Sequence, residues 1–261
     1  MAYQGYYFIY DGTPSQLYGL RICSFESSGF RYTGGSSMEL ITDRATRSLK
    51  HTLLGSVPSS VLEFDLEFFF EEPVNLFQEH IIKSWLFGQI QYKKLFILNN
   101  DELSDVYFNC VLNDPEDIKI NGNNGFKCTV VCDAGGAWEM PKTKTYTPTA
   151  SGLSFIYNNT SGNNDYTYPT VKFTLNSTAT GCTITNASDN GRVFEFTELT
   201  GGETIEINGD TGIIISSLGV NRLGHFNKNF LRLVRGANRL NCSGDIASLS
   251  LTVQNFRRLG G

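Results

Sequence analysis

No stretch of the 261-residue sequence approaches the ~18 apolar residues needed to span a bilayer, and Met1–Gly5 lacks the basic and apolar segments of an export signal. The expectation is a chain made in the cytoplasm with no membrane partner. Charged residues are scarce at 18%, and no Lys/Arg cluster is interleaved with aromatics, so specific nucleic-acid binding is not expected. The three histidines, His51, His80 and His225, fall in no HExxH, HxH or Cys/His spacing, so no metal is expected. There is no GxSxG elbow, Walker loop, Ser-x-x-Lys or GxGxxG after a strand; neither an enzyme nor a cofactor is expected. CxxC is absent as well. Without export, the six cysteines (Cys23, Cys110, Cys128, Cys132, Cys182, Cys242) read as reduced, half-buried thiols.

What the chain has in quantity is glycine (26), phenylalanine (19) and tyrosine (12) within a 40% apolar composition, which points to a mostly β protein with little helix. Its charge is divided unevenly. Residues 1–140 carry eighteen acids and ten bases, whereas residues 141–261 carry eight acids and eleven bases. An acidic first half and a basic end can attract each other, within one molecule or between copies.

Strands are predicted at Tyr6–Tyr10 and Leu20–Glu26, joined through Asp11-Gly12-Thr13-Pro14. From Tyr32 to Gly55 no period emerges, and Gly34–Ser37 followed by Asp43, Arg44, Arg47 and Lys50 reads as a long exposed arm or loop. Next, Leu62, Phe64, Leu66, Phe68 and Phe70 alternate with Glu63, Asp65 and Glu67, the pattern of a half-buried antiparallel strand. One helix is predicted over Pro73–Phe87, with Val74, Phe77, Ile81 and Trp85 on its inner side and Gly88 just past its end. Further strands are read at Lys94–Leu98, Val106–Asn113 and Gly125–Cys132.

The texture changes after Trp138. The Pro-punctuated stretch Met140–Pro148 reads as a linker or inter-domain strand, placing a boundary that gives domains of 1–140 and 141–261. Beyond it, short alternating segments recur every ~8–12 residues, as in a β-sandwich. They are Val171–Leu175, Cys182–Thr185, Arg192–Thr197, Thr204–Asn208, Gly212–Ser216, Phe230–Val234 and Ser248–Phe256. Asp189-Asn190-Gly191 and Asn208-Gly209-Asp210 read as hairpin turns.

Two weaker chemistries remain. Paired acids at Glu71-Glu72 and around Asp114, Glu116 and Asp117 have the composition of a glycosidase pair, but read more simply as helix-start charges and turn formers. Tyr157, Tyr166 and Tyr168 lie in an Asn- and Ser-rich segment, where exposed rings would suit stacking on a sugar. That makes a carbohydrate-binding module for host-surface recognition the alternative reading.

Four segments, in order and spacing, resemble the distal tail protein (Dit) family of phages with long, non-contractile tails. They are Ser15–Ile22; the strand Leu62–Phe70 running into Ile82–Gly88 and then Tyr92–Ile97; Gly125–Asp133 with Ala137-Trp138-Glu139; and Asn227–Asn241 with Gly236–Leu240. The resemblance implies an N-terminal β-barrel-like domain with one α-helix and a protruding arm, followed by a galectin-like β-sandwich. It also implies a homohexameric ring, a baseplate hub joining the tail tube protein to the tail tip or tail-associated lysin, with a receptor-binding protein as a further partner. DNA would pass through the lumen without specific binding. Asp43, Arg44, Arg47 and Lys50 are the expected ring contacts, and the protein's place would be the virion tail.

Overall fold

In the computed structural model the described residues are 6–23, 38–44, 46–47, 49–58, 61–98, 105–120, 123–148, 152–162 and 165–258. Residues 32–37 of the expected arm and 24–26 of the second expected strand lie outside them. The chain forms two compact units, Met1–Glu139 with Arg257–Gly261, and Met140–Phe256.

The first unit contains β1 (Phe8–Tyr10), β2 (Thr13–Pro14), β3 (Leu20–Cys23), β4 (Met38–Asp43), β5 (Thr52–Pro58), β6 (Glu63–Phe70), α1 (Leu76–Phe87), β7 (Lys93–Ile97), β8 (Val106–Ile120), β9 (Asn123–Cys132) and β10 (Ala137–Glu139). An antiparallel sheet runs in the order β2-β1-β7-β8-β9-β6-β3. Among the described residues its ends meet only at an isolated bridge, where Tyr6 and Ile22 exchange two backbone hydrogen bonds of 2.9 Å. The expected barrel is thus a curled sheet that stops short of closure by paired strands.

Strand β6 shows why the sheet has one dry face. Phe64, Leu66, Phe68 and Phe70 are buried while Glu63 and Asp65 face water, and Val130, Cys128 and Phe126 of β9 bury in register with Phe64, Leu66 and Phe68. At about 25 cal/mol per Å² of buried apolar surface, such an aromatic face is the main stabilising term of the unit.

The helix begins later than its proline suggests. Asn75 accepts a hydrogen bond from the Gln78 backbone N–H at 2.9 Å, and the Gln78 side chain accepts from the Asn75 N–H at 3.1 Å. This capping box satisfies the orphan donors of the first turn, so the helix starts where a side chain can cap it rather than at Pro73. The inner face is correspondingly shifted. Ile82 and Leu86 are buried, whereas Phe77 is 73% exposed. Trp85 keeps its expected role: its indole N–H donates to the Tyr10 carbonyl at 3.2 Å and its ring stacks parallel to Phe8. Gly88 ends the helix with a right-handed φ of −80° rather than the left-handed geometry expected of a terminal glycine.

The second unit is a β-sandwich built from β11 (Lys142–Tyr146), β12 (Leu153–Asn159), β13 (Thr170–Leu175), β14 (Cys182–Asn186), β15 (Arg192–Phe196), β16 (Thr204–Asn208), β17 (Ile214–Ser216), β18 (Gly236–Ser243) and β19 (Ile246–Val253). Its sheets have the orders β11-β19-β13-β16-β17 and β12-β18-β14-β15. Phe173, Ile205 and Leu249 of the first sheet pack in one core with Ile184, Phe194, Phe196 and Leu240 of the second. The loop joining β14 to β15, residues 187–191, ends in a turn closed by the Arg192 N–H on the Asp189 carbonyl at 2.9 Å, with left-handed backbone at Asn190 (φ 51°) and Gly191 (φ 70°). Phe230–Val234 makes no strand; within it Leu233 alone forms a bridge, to Thr167. The final short strand, β20 (Phe256–Arg257), divides at the unit boundary: Arg257 belongs to the first unit, where it pairs with Asp105 at 2.8 Å and Glu139 at 2.8 Å.

Candidate functional site

Of the acids that had the composition of a catalytic pair, Glu71 and Asp117 are bound into structural contacts. Glu71 accepts from the Tyr7 hydroxyl at 2.9 Å and pairs with Arg21, whose guanidinium lies 4.1 Å from the Tyr7 ring centre. Asp117 pairs with Lys83, which also reaches Glu79 at 2.8 Å. Burial opposes the charge on Lys83, but the carboxylates of Asp117 and Glu79 raise its pKa above the ordinary value. Asp114 sits at φ 51° in the bulge of β8. Among the described residues no group of three or more His, Cys, Asp or Glu is placed to hold a metal.

The cysteines are free and buried. Burial pushes the thiols of Cys23, Cys128 and Cys132 up to about 12, and raises that of Cys110 well above its ordinary value too. These thiols therefore stay protonated and poorly nucleophilic at neutral pH. Cys182 and Cys242 lie with their sulfurs 3.8 Å apart; the hydrogen bond between them raises the pKa of Cys182 and lowers that of Cys242.

The expected arm is a β-hairpin. β4 and β5 pair antiparallel from Met38↔Pro58 to Asp43↔Thr52, and among the described residues this ribbon belongs to no larger sheet. Asp43, Arg44, Arg47 and Lys50 all lie exposed at its turn, where the Asp43 carboxylate accepts the Arg44 backbone N–H at 2.8 Å. The structure thus gathers the four expected contact residues in one place. It adds what charge alone did not reveal: Leu40, Ile41, Leu53 and Leu54 are exposed on the same ribbon. Two apolar dipeptides flanking a polar centre were the available sequence signal.

A second feature of the first unit is an open groove of about 770 Å³ between the start of α1 and the β8–β9 hairpin. Phe70, Val74 and Ile118 line it together with the exposed Leu76 and Phe77, and Glu79 and Asp117 supply acidic lining.

The tyrosines do not make a stacking platform. Tyr157 is an inward-pointing residue of β12, 5% exposed, because alternation along that strand places it opposite the core. Tyr166 already lies under the Arg232 guanidinium, 3.6 Å from its ring centre, and Arg232 is anchored bidentately on Asp189 at 2.7 and 3.0 Å. Tyr168 is half-buried nearby in sequence. What the Asn-rich segments build instead is a buried amide network. Asn238 accepts from the Asn186 amide at 3.0 Å and from the Val234 N–H at 2.9 Å, and donates to the Val234 carbonyl at 2.8 Å. Asn159 donates to the Val234 carbonyl at 3.2 Å, so Val234, between the Leu233 bridge and the start of β18, is held by side chains rather than by strand pairing. Edge strand β17 and the residues flanking it expose Ile213, Ile215, Leu218, Val220 and Leu223.

A family model described as a phage tail protein N-terminal domain matches residues 3–134, and one described as a phage tail C-terminal domain matches residues 137–253. No curated protein matches significantly. Among solved structures, the crystal structure of SPP1 Dit (gp 19.1), described as a paradigm of the hub adsorption apparatus in phages infecting Gram-positive bacteria, is similar at a TM-score of 0.71. The two share 11% sequence identity, over 96% of this chain and 99% of that one. At that identity the likeness is one of fold.

Proposed function

The chain belongs to the phage tail protein family, whose two domain models together account for nearly all of it, and on that premise we propose that it is a structural hub at the distal end of the tail. Six copies form a ring by head-to-tail contacts, joining the tail tube to the tail tip and the receptor-binding apparatus. The observation that carries this reading is the β4–β5 ribbon, which exposes four large apolar side chains and three bases. A two-stranded ribbon is marginal by itself in water, and exposed apolar patches of this kind are characteristic of assembly surfaces. A heterologous contact repeated by rotation closes into a ring without any catalytic group. The acidic balance of residues 1–140 fits a lumen that repels phosphate and lets DNA slide through it.

Light scattering across a concentration series, with negative-stain imaging, tests the ring. The expected species has six times the 29.0 kDa chain mass and an open centre. A chain that stays monomeric at every concentration overturns the reading.

A further inference from the structure

We propose that Cys182 and Cys242 are a latent disulfide site, closed by exchange with a small dialkyl disulfide, and that the bond staples β14 to β18 in the sandwich. Both residues lie within the second unit, so the site stands whether or not the chain forms rings.

The two thiols face one core from neighbouring strands. β14 begins at Cys182, β18 ends one residue after Cys242, and the register sets Cys242 opposite Ile184, which makes the cysteines diagonal neighbours on the inward face. The chain is drawn in tightly beside them. A side chain at Gly244 would place its Cβ 2.6 Å from the Gly181 carbonyl oxygen and 3.3 Å from the Cys182 Cα, so a glycine is what lets the chain leaving β18 lie against the start of β14. The sulfurs come to 3.8 Å. A disulfide needs about 2.0 Å, so each sulfur has roughly 1 Å to travel, and it does so at strand ends, where the ladder stops constraining the backbone.

The cysteines also differ in reactivity. Cys242 accepts a hydrogen bond from Cys182, which favours its thiolate and holds its pKa below the ordinary value although burial works against it. It is the more accessible of the two as well, 6% exposed against 1%. The thiolate is the attacking form, so Cys242 is the nucleophile and Cys182 the thiol that resolves the intermediate. Cys110 and Cys132 supply the contrast: they are register partners on β8 and β9, but both are fully buried and both thiols are shifted upward by that burial.

The exchange balances. The Cys242 thiolate attacks one sulfur of the small disulfide, forming a mixed disulfide and expelling one alkyl thiolate, which takes up the proton that Cys242 has lost. Cys182 then gives up its proton and attacks the Cys242 sulfur, expelling the second alkyl thiolate, which takes that proton. The protein loses two electrons and two protons, and the small disulfide gains both and becomes two thiols. A tail protein travels with its particle from a reducing cell interior into an oxidising medium, where such a bond forms and persists. Closing it ties together residues 60 positions apart, which removes conformations from the unfolded chain.

The test exposes the full-length chain, reduced and freed of reductant, to hydroxyethyl disulfide under native conditions, quenches in acid and maps the peptides by mass spectrometry. The expected product has lost two thiols and carries one link, between the peptides holding Cys182 and Cys242, which reductant reverses. By calorimetry the second unit melts about 10 °C higher and the first is unmoved. Cys182→Ala stops at a hydroxyethyl adduct on Cys242, and in Cys242→Ala the remaining thiol of that unit takes up none, an order of events that mere contact between sulfurs would not produce. The wild-type map decides the matter even where a variant folds poorly. Six free thiols after native exposure, a link between any other pair, or a bond that leaves the second unit's midpoint where it was overturns the assignment.

Discussion

The Glu203–Arg222 pair offers the sharpest test of how the second unit is held together. The Glu203 side chain is fully buried at the entry to β16, and each of its oxygens receives two donors. Oε1 accepts from the Ser216 hydroxyl at 2.6 Å and Arg222 Nε at 2.9 Å; Oε2 accepts from Arg222 Nη2 at 2.7 Å and the Thr200 N–H at 3.0 Å. Glu203→Gln keeps the shape but removes the charge and points an amide N–H₂ at existing donors. Arg222, itself mostly buried, loses its counter-ion. Breaking one side of a buried pair costs about 3–5 kcal/mol. For a unit of this size each kcal/mol moves the midpoint by roughly 3–6 °C, so the unit should melt at least about 10 °C lower. Calorimetry follows that transition. Trp85 and Trp138 both lie in the first unit, so tryptophan fluorescence supplies an internal control that should not move. The pH dependence adds a second readout. Burial alone would raise the Glu203 pKa, but the hydrogen bonds from Arg222, Ser216 and the Thr200 N–H hold it below the ordinary 4.5. The unfolded chain then binds the proton more tightly than the folded one, so this stability is present above pH 4.5 and is lost as the pH falls through the lowered folded value. In Glu203→Gln that part of the acid slope disappears. A midpoint shift under about 3 °C, or an unchanged acid slope, would refute the reasoning.

Three further outcomes follow from the same geometry. Asn75→Ala removes the capping box of α1 and should cost about 1 kcal/mol in the first unit, read by chemical denaturation with Trp85 as the reporter. Asn238→Ala strips the buried amide network of its central member, leaving the Val234 N–H and the Asn186 amide short of a partner; about 2–3 kcal/mol is expected by calorimetry, and loss of protection in peptides covering 231–238 by hydrogen exchange. The thiols of Cys23, Cys110, Cys128 and Cys132 should be silent to a thiol reagent at pH 7.5 in the native chain and react fully in denaturant; prompt labelling of any of them in native protein contradicts their burial.

The fold class was legible because its signals are local and periodic. The alternation of Phe64, Leu66, Phe68 and Phe70 against acids can only be read as a strand with one dry face, and the structure has it so. The Asn190-Gly191 turn works by backbone conformation alone and needs no tertiary knowledge. Errors arose where a side chain outside the period decides. The helix start moved from Pro73 to Asn75 because a reciprocal cap outweighs a favourable φ, and the inner face moved with it from Phe77 to Ile82. Phe230–Val234 alternates like a strand, yet apart from the Leu233 bridge it pairs with none, and buried asparagines on β12, β14 and β18 bond the backbone of Arg232 and Val234, a partnership between residues up to 75 positions apart that no window of sequence contains.

The candidate contact surface was half visible for a related reason. Charge is additive along a chain, so the bases of the arm could be counted without knowing its shape. Apolar exposure cannot be counted that way, because leucine is read as buried unless a partnering strand shows otherwise. Leu40, Ile41, Leu53 and Leu54 acquire meaning only once β4 and β5 are seen, among the described residues, to pair with each other and with no larger sheet. Tyr157 failed in the opposite direction. Its Asn- and Ser-rich neighbours suggested solvent, whereas Asn158 points outward and Tyr157 and Asn159 point inward on one strand. Polar composition marks a loop only when the amides are solvated. Here Asn159, Asn186 and Asn238 are buried with their hydrogen bonds made, and the same residues that look like a loop are what hold the sandwich end together.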